Sequence, residues 1–140
     1  MQSVILDTNI LVSALIQKGY PHHIVFNYVL DERVGLCLSD ELMNEYRDVL
    51  ARPKFAQIAD FSSNAEIVLS RFEKIATFYE PKNRLNIIKD ESDNRLLELA
   101  NESNANFLIT GNSAHFTMLQ YKETKIVSPR DFWEIASLLF

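Results

Sequence analysis

The sequence contains few of the residues that several protein classes need. It has a single cysteine, Cys37, so a disulfide-stabilised scaffold is excluded. Its three glycines are too few for the glycine-rich loops that hold phosphates in nucleotide-binding proteins. Its apolar runs, such as residues 10–12 and 14–16, are far shorter than the roughly 20 residues of a membrane span. Since Asp7 also interrupts the region where a signal peptide would have its apolar core, we expect a cytoplasmic protein with no membrane association.

Basic residues are also few relative to acidic ones. The 140 residues include 14 Lys and Arg against 19 Asp and Glu, which gives a formal net charge of −5. A protein that coats nucleic acid nonspecifically normally has a basic surface. The charge balance therefore argues against that class of nucleic-acid-binding protein.

The hydrophobic residues make up 47% of the chain, enough for the core of one domain spanning residues 1–140. Short apolar runs predict strands at residues 3–6, 34–38, 107–110 and 125–128. Amphipathic segments predict helices at residues 10–17, 21–32, 40–52, 63–76, 93–102 and 129–140. In the fourth of these helices, the residues expected to face inward are Ile67, Leu69, Phe72 and Ile75. The alternation of strands and helices predicts an α/β domain with a mainly parallel sheet.

Two acidic residues are expected where the ligand sites of parallel sheets form, at the carboxyl ends of the strands. Asp7 follows the first predicted strand directly, so its carboxylate should emerge at that edge. Asp93 lies three, four and seven positions before Leu96, Leu97 and Ala100, which places it on the buried face of its helix. The helix dipole explains an acid in a first turn, but not one that faces inward. Asp7 and Asp93 are therefore candidate functional residues.

Two further acids have both a functional and a structural interpretation. Glu45 lies beside the inward stripe of the third predicted helix and needs a partner, which is either a metal ion or an arginine. Asp90 can cap the helix that starts with the residues Asp-Glu-Ser-Asp, or it can contribute to the same site as Asp93. The sequence leaves both pairs of alternatives open.

Carboxylates that converge on one point repel one another, and a divalent cation removes this repulsion. Oxygen ligands with little sulfur or imidazole suit Mg²⁺ or Mn²⁺ better than Zn²⁺. The histidines do not indicate zinc, because two of them are adjacent in the sequence and His115 is isolated. An ion held by carboxylates favours phosphate chemistry. Without the four acids named above, 15 acids remain against 14 bases, so the acidic excess comes largely from the predicted site.

Five short segments occur together along the chain: VILDTN at residues 4–9, LMNEY at 42–46, DESDN at 90–94, FLITGN at 107–112 and SPRDF at 128–132. In this order they resemble the PIN domain family of small metal-dependent ribonucleases, and most of all the toxin components of toxin–antitoxin pairs. The resemblance implies a three-layer α/β/α fold with a mainly parallel central sheet.

The resemblance also implies roles for individual residues. Asp7, Glu45 and Asp93 occupy the positions of the family's catalytic metal ligands, the same three acids that the sequence pattern singles out. Thr8 and Thr110 would be polar neighbours that orient the ligands or a water molecule. The implied activity is endonucleolytic hydrolysis of single-stranded RNA with Mg²⁺ or Mn²⁺, and the implied partners are an antitoxin protein and a second copy of the chain.

Two residues depart from the family pattern. Asn112 stands where the family commonly has a fourth acid, and it can offer a metal an amide oxygen but no charge. His115 stands where some related proteins have an acid. These departures keep an alternative function open, in which a PIN-like domain binds RNA or a partner protein without cleaving it.

Two surfaces are expected to serve the partners. The basic residues predicted to hold the RNA backbone are Arg47, Arg52 and Lys54 on one side of the site and Lys82, Arg84 and Lys89 on the other. The last predicted helix, which ends at Phe140, has more apolar residues than one buried face would require. Dimerisation and burial against the sheet both explain this apolar surface.

Overall fold

A computed structural model of the chain describes residues 1–139. Its strands are β1 (Ser3–Leu6), β2 (Gly35–Leu38), β3 (Thr77–Phe78), β4 (Phe107–Ile109), β5 (Gln120–Tyr121) and β6 (Thr124–Val127). Its α-helices are α1 (Thr8–Ile16), α2 (Tyr20–His23), α3 (Asp40–Leu50), α4 (Pro53–Ala56), α5 (Phe61–Ile75), α6 (Glu91–Ser103) and α7 (Pro129–Leu139). A π-helical segment, Ile24–Val29, continues α2, and a 3₁₀ turn, Ser113–His115, follows β4. Phe140, the last residue of the final predicted helix, lies outside the described residues.

The strands form one sheet in the order β3-β2-β1-β4-β6-β5, and all neighbours are parallel except β5 and β6. The chain moves from β1 toward β3 through α1 to α5, and it returns across the sheet to β4 through α6. Because crossovers between parallel strands are right-handed, these two groups of helices cover opposite faces of the sheet. The predicted three-layer α/β/α fold with a mainly parallel sheet is confirmed.

Burial on both faces explains the apolar composition of the central strands. Val4, Ile5 and Leu6 of β1 are completely buried, as expected for a central strand covered by helices on each side. The chain turns directly from β1 into α1, with Asp7 at the N-cap position. Ser39 caps α3 by accepting a hydrogen bond from the backbone N–H of Leu42. These two helices therefore start at the carboxyl edge of the sheet, where they position the site.

The structure differs from the sequence-based prediction in several elements. The strands β3 and β5 have two residues each, too few to produce a recognisable pattern, and the single-turn helix α4 was also missed. The helix predicted over residues 21–32 divides into α2 and the π-helical segment. Ile67, predicted to face inward, is 65% exposed and that prediction is wrong. The buried stripe of α5 instead follows helical spacing through Phe61, Ala65, Val68, Leu69 and Phe72.

The last helix, α7, buries only part of its apolar surface. Phe132 is fully buried, and its ring meets those of Tyr28 and Phe107 edge-on at centroid distances of 6.1 and 5.4 Å. Leu138 and Leu139 are 87% and 60% exposed. Packing in the core therefore explains the helix as far as Ala136, which is also fully buried, and dimerisation stays a prediction. Within residues 1–139, no helix has the length and apolar character needed to cross a membrane.

Candidate metal centre at the carboxyl edge of the sheet

A cleft of about 260 Å³ opens at the carboxyl edge of the central strands. Residues from β1, α3, α6 and the loop after β4 meet there, although they are far apart in the sequence. The predicted site residues that line it are Asp7, Thr8, Glu45, Arg52, Asp90, Asp93 and Asn112. His115 lines it as well.

Asp7 lines this cleft and is held there by hydrogen bonds of its backbone and its side chain. Its backbone N–H donates to the carbonyl of Ile109 at 3.0 Å, which continues the pairing of β1 with β4. Its carboxylate oxygen Oδ2 accepts a hydrogen bond from the Thr110 hydroxyl at 2.7 Å. Asp7 is only 7% exposed, and this burial raises the pKa of its carboxyl group, with the charge of Asp90 adding to the rise. Thr110 thus fixes the orientation of a carboxylate that is costly to ionise.

Asp90 and Asp93 lie together in the first turn of α6. Asp90 Oδ1 accepts a hydrogen bond from the backbone N–H of Asp93 at 3.1 Å, so Asp90 caps the helix and also lines the cleft. Asp93 is 5% exposed, and burial raises the pKa of its carboxyl to about 6, with further contributions from the charges of Asp90 and Asp7. Within the described residues the buried oxygen Oδ2 of Asp93 accepts no regular hydrogen bond, and His115 Nδ1 approaches it only to 3.5 Å.

Glu45 reaches the cleft from the second turn of α3. The hydroxyl of Thr8 donates a hydrogen bond to Glu45 Oε2, which links α1 to α3. The neighbouring Tyr46 is fully buried, and its hydroxyl donates to the carbonyl of Leu6 at 2.5 Å, which ties the same turn to the end of β1. Within the described part of the chain, no arginine pairs with Glu45, so the salt-bridge explanation for this acid is not supported.

The sequence indicated His115 only as a departure from the family pattern and did not predict it as a possible metal ligand. The turn after β4 brings its Nδ1 atom to 3.5 Å from Asp93 Oδ2. One ligand atom each from Asp90, Asp93 and His115 lies within 4.8 Å of the other two. Asp7 and Glu45 line the same cleft outside this tighter group. The available signal was its place, five residues beyond Thr110, in a loop that leaves a predicted strand at the edge expected to carry the site.

Comparison with known proteins identifies the family. A family model described as PIN domain matches residues 3–114, which is most of the chain. This chain belongs to the PIN domain family. It is also similar to an uncharacterized protein from Methanocaldococcus jannaschii, with 25% identity over 94% of this chain and 89% of the relative. PIN domains are generally metal-dependent nucleases, and the resemblance found in the sequence is thereby confirmed at the level of the family.

The donors in the cleft of this PIN domain fit a divalent cation. Carboxylate oxygens dominate the set, and Asn112 adds an amide oxygen from a half-buried position. The oxygen Oδ2 of Asp93 is buried with no hydrogen-bond donor within residues 1–139, which is costly unless a cation approaches it. The raised pKa of both Asp7 and Asp93 has the same implication, because a bound cation favours the ionised form of each.

The basic residues predicted to hold RNA are only partly at the cleft of the PIN domain. Arg52 lines it, and Lys89 lines an adjoining pocket together with Asp90 and His115. The remaining four line neither pocket. The side chains of three of them have other contacts: Arg47 pairs with Glu73, Arg84 pairs with Glu41 and Glu98, and Lys54 lies over the ring of Phe55. The structure therefore brings two of the six basic residues to the acids.

Proposed function

We propose that this PIN domain is a Mg²⁺- or Mn²⁺-dependent endoribonuclease that hydrolyses single-stranded RNA in the cytoplasm, as the toxin of a toxin–antitoxin pair. The observation that carries the proposal is the convergence of Asp7, Glu45, Asp90 and Asp93 in one cleft, with a buried oxygen of Asp93 left without a donor. Membership of the PIN domain family supports nuclease chemistry at this place.

Each residue of the cleft has a specific task in this proposal. Asp7, Glu45 and Asp93 bind the cation, and the hydroxyls of Thr110 and Thr8 hold the first two in position. When bound, Mg²⁺ or Mn²⁺ neutralises charge on the phosphodiester and lowers the pKa of a water molecule. The amide oxygen of Asn112 is a neutral ligand or a hydrogen-bond acceptor for water.

Two basic side chains at or beside the cleft can bind the RNA backbone. Arg52 lines the cleft, and its guanidinium group can pair with a phosphate through two hydrogen bonds. Lys89 lies beside Asp90 and His115 in the adjoining pocket and offers a point charge. Because these contacts go to phosphates, they would position a strand without reading its sequence.

The test is cleavage of a labelled single-stranded RNA with Mn²⁺, compared between the wild-type protein and Asp7→Asn. We expect the variant to lose activity on the order of 100-fold or more, because it removes a charged ligand of the cation. The matched control is Asp31→Asn, the same chemical change at an exposed turn outside the cleft, which should cleave like the wild type. Equal cleavage by wild type and Asp7→Asn would overturn the proposal.

Two additional arms test the finer parts of the proposal. Single-stranded DNA and double-stranded RNA of the same sequence should be cut more slowly than single-stranded RNA. Expression of the wild-type protein in a bacterial host should arrest growth, whereas Asp7→Asn should not, if the protein is a toxin. Growth that is unaffected by an active nuclease would contradict the toxin role and leave the nuclease role in place.

A second candidate function follows from Asn112. An amide at this position brings no negative charge to the cleft, so the domain could bind a cation and RNA without cleaving. In that case the wild type should bind Mn²⁺ and RNA with no detectable products, and Asn112→Asp should gain cleavage. Cleavage by the wild type that depends on Asp7 would exclude this alternative.

A further inference from the structure

Beside the acids that the proposed nuclease would use, the cleft contains a nitrogen donor that the family's acidic pattern does not provide. We infer that His115 acts with Asp90 and Asp93 in a mixed carboxylate–imidazole site that binds Mn²⁺ in preference to Mg²⁺. This inference rests on the proposed function and makes it more specific, because it assigns the metal and adds Asp90 and His115 to its ligands.

The distances among the three residues suit a single ion. Oxygen and nitrogen ligands at about 2.1–2.2 Å from an octahedral ion are about 3.0 Å apart when adjacent and about 4.3 Å apart when opposite. The Nδ1 atom of His115 lies 3.5 Å from Asp93 Oδ2, and all three ligand atoms are within 4.8 Å of one another. A small contraction around an ion therefore brings the three donors into ligating positions.

The state of Asp93 is an independent observation that indicates a cation. Its side chain is more than nine-tenths buried and lines the cleft, and Oδ2 receives no hydrogen bond from the described residues. This is the same oxygen that His115 approaches. The N-cap hydrogen bond of Asp90 uses only Oδ1, so a second oxygen of that carboxylate remains for an ion.

The identity of the third donor decides which metal the site favours. Mg²⁺ prefers oxygen ligands and retains its water molecules, whereas imidazole is a suitable ligand for transition-metal ions. An imidazole nitrogen therefore adds more to the affinity for Mn²⁺ than to the affinity for Mg²⁺. His115 is about half-exposed on a short turn, so its ring has room to adjust to an ion.

The neighbouring Asn112 strengthens the case for a role of His115. Positions 112 and 115 of the loop after β4 both line the cleft, and they are occupied by Asn and His, so neither brings an acid to it. An imidazole three residues further on returns a metal ligand to the same loop without adding negative charge. The site would thus be less negative than a site made only of carboxylates, and it would have a stronger preference for a metal that binds nitrogen.

The test measures metal binding directly, with no substrate present. Mn²⁺ and Mg²⁺ affinities are determined by calorimetry for the wild type, His115→Ala and His115→Asp, and pulsed electron paramagnetic resonance of the Mn²⁺ complexes detects ¹⁴N coupling. The matched control is His23→Ala, which removes an imidazole next to Trp133 on the surface formed by α2 and α7. Asp93→Asn serves as the variant in which the site itself is lost.

The expected result is selective. His115→Ala should weaken Mn²⁺ binding about tenfold or more and Mg²⁺ binding much less, and it should abolish the ¹⁴N coupling seen in the wild type. His115→Asp should shift the preference toward Mg²⁺, and His23→Ala should behave like the wild type.

Two results would overturn the inference, and they differ in what they imply for the proposed function. If Mn²⁺ binds without ¹⁴N coupling and His115→Ala has wild-type affinity, while Asp93→Asn abolishes binding, His115 is not a ligand and the carboxylate site remains. If neither metal binds the wild type and RNA is not cleaved, both the inference and the proposed nuclease function fail.

Discussion

Asp93 gives the sharpest prediction, because its carboxyl group is buried beside two other acids. In the metal-free protein, the free energy of unfolding should fall as the pH rises from about 4 to 7, and Asp93→Asn should remove much of this fall. The reason is that the folded protein holds a proton on Asp93 up to a pH of about 6, whereas the unfolded chain releases it near the ordinary value of 3.8.

The magnitude follows from the difference between these two pKa values. A difference of about two units corresponds to about 3 kcal/mol, since each unit is worth about 1.36 kcal/mol. A group whose pKa is raised on folding contributes its stability below the unfolded value and loses it as the pH passes the folded value. The wild type should therefore lose about 2.4 kcal/mol from this group between pH 4 and pH 7, because part of the loss occurs below pH 4.

The assay is chemical denaturation in EDTA, followed by circular dichroism at pH 4, 5.5 and 7.5. At each pH, the free energy of unfolding of Asp93→Asn is subtracted from that of the wild type. The measured quantity is the value of this difference at pH 4 minus its value at pH 7.5. The cost of burying an amide in place of the acid is the same at each pH and cancels. Asp31→Asn, at an exposed position, should give a profile parallel to that of the wild type.

Mn²⁺ provides a second arm of this experiment. At pH 7.5, a concentration 100 times the dissociation constant should stabilise the wild type by about 2.7 kcal/mol, and Asp93→Asn should gain much less. Parallel pH profiles for the wild type and Asp93→Asn in EDTA would refute the reasoning, because the pKa of Asp93 would then not be raised by folding. An equal stabilisation of both proteins by Mn²⁺ would show that the ion binds elsewhere.

Three further predictions concern other parts of the structure. Thr110→Val removes the donor to Asp7 Oδ2 and should weaken Mn²⁺ binding about 10- to 100-fold, whereas Thr110→Ser should retain the affinity measured by calorimetry. Asn94→Ala removes three hydrogen bonds to the backbone of Ile87 and Ile88, two of which are buried. It should lower the free energy of unfolding by about 3 kcal/mol and accelerate hydrogen exchange at these amides; unchanged exchange would contradict this. The affinity for single-stranded RNA, measured with Ca²⁺ in place of Mn²⁺, should fall with salt. The logarithm of the binding constant against the logarithm of the salt concentration should have a slope near −1.4, since two basic residues lie at the cleft. A slope steeper than about −3 would require a wider basic surface.

The layers of the fold and the general position of the site could be predicted from the sequence, because strong local patterns specify them. The run Val4-Ile5-Leu6 predicts a strand buried on both faces, and the acid that follows it must lie at the edge of the sheet. Helical spacing placed Asp93 on the inward face of α6, and it is 5% exposed. The roles assigned to these acids stay predictions until metal binding is measured.

The rest of the site depends on contacts between distant segments, which no local pattern contains. His115 looked isolated because its neighbours in the sequence are not its neighbours in space, and only the turn after β4 brings it to Asp93. The basic residues were predicted from their charge and their nearness to the site in the sequence. Neither property shows that Arg47 pairs with Glu73 while Arg52 lines the cleft.

The helix α6 carries two buried carboxylates, Glu98 and Asp93, that differ in their charge partners. Glu98 is 4% exposed, and its oxygens contact the guanidinium groups of Arg84 and Arg95 at 3.2 and 3.0 Å, so its charge is neutralised within the fold. Asp93 is buried to the same extent on the same helix, yet no arginine or lysine within residues 1–139 pairs with it. Burying an acid without a full charge partner costs more than burying one that arginines neutralise. The charge of Glu98 is neutralised by two arginines, whereas Asp93 Oδ2 has only His115 Nδ1 at 3.5 Å as a contact among the salt bridges of residues 1–139. This contrast supports the proposal that Asp93 binds a metal ion, whereas Glu98 is a structural carboxylate.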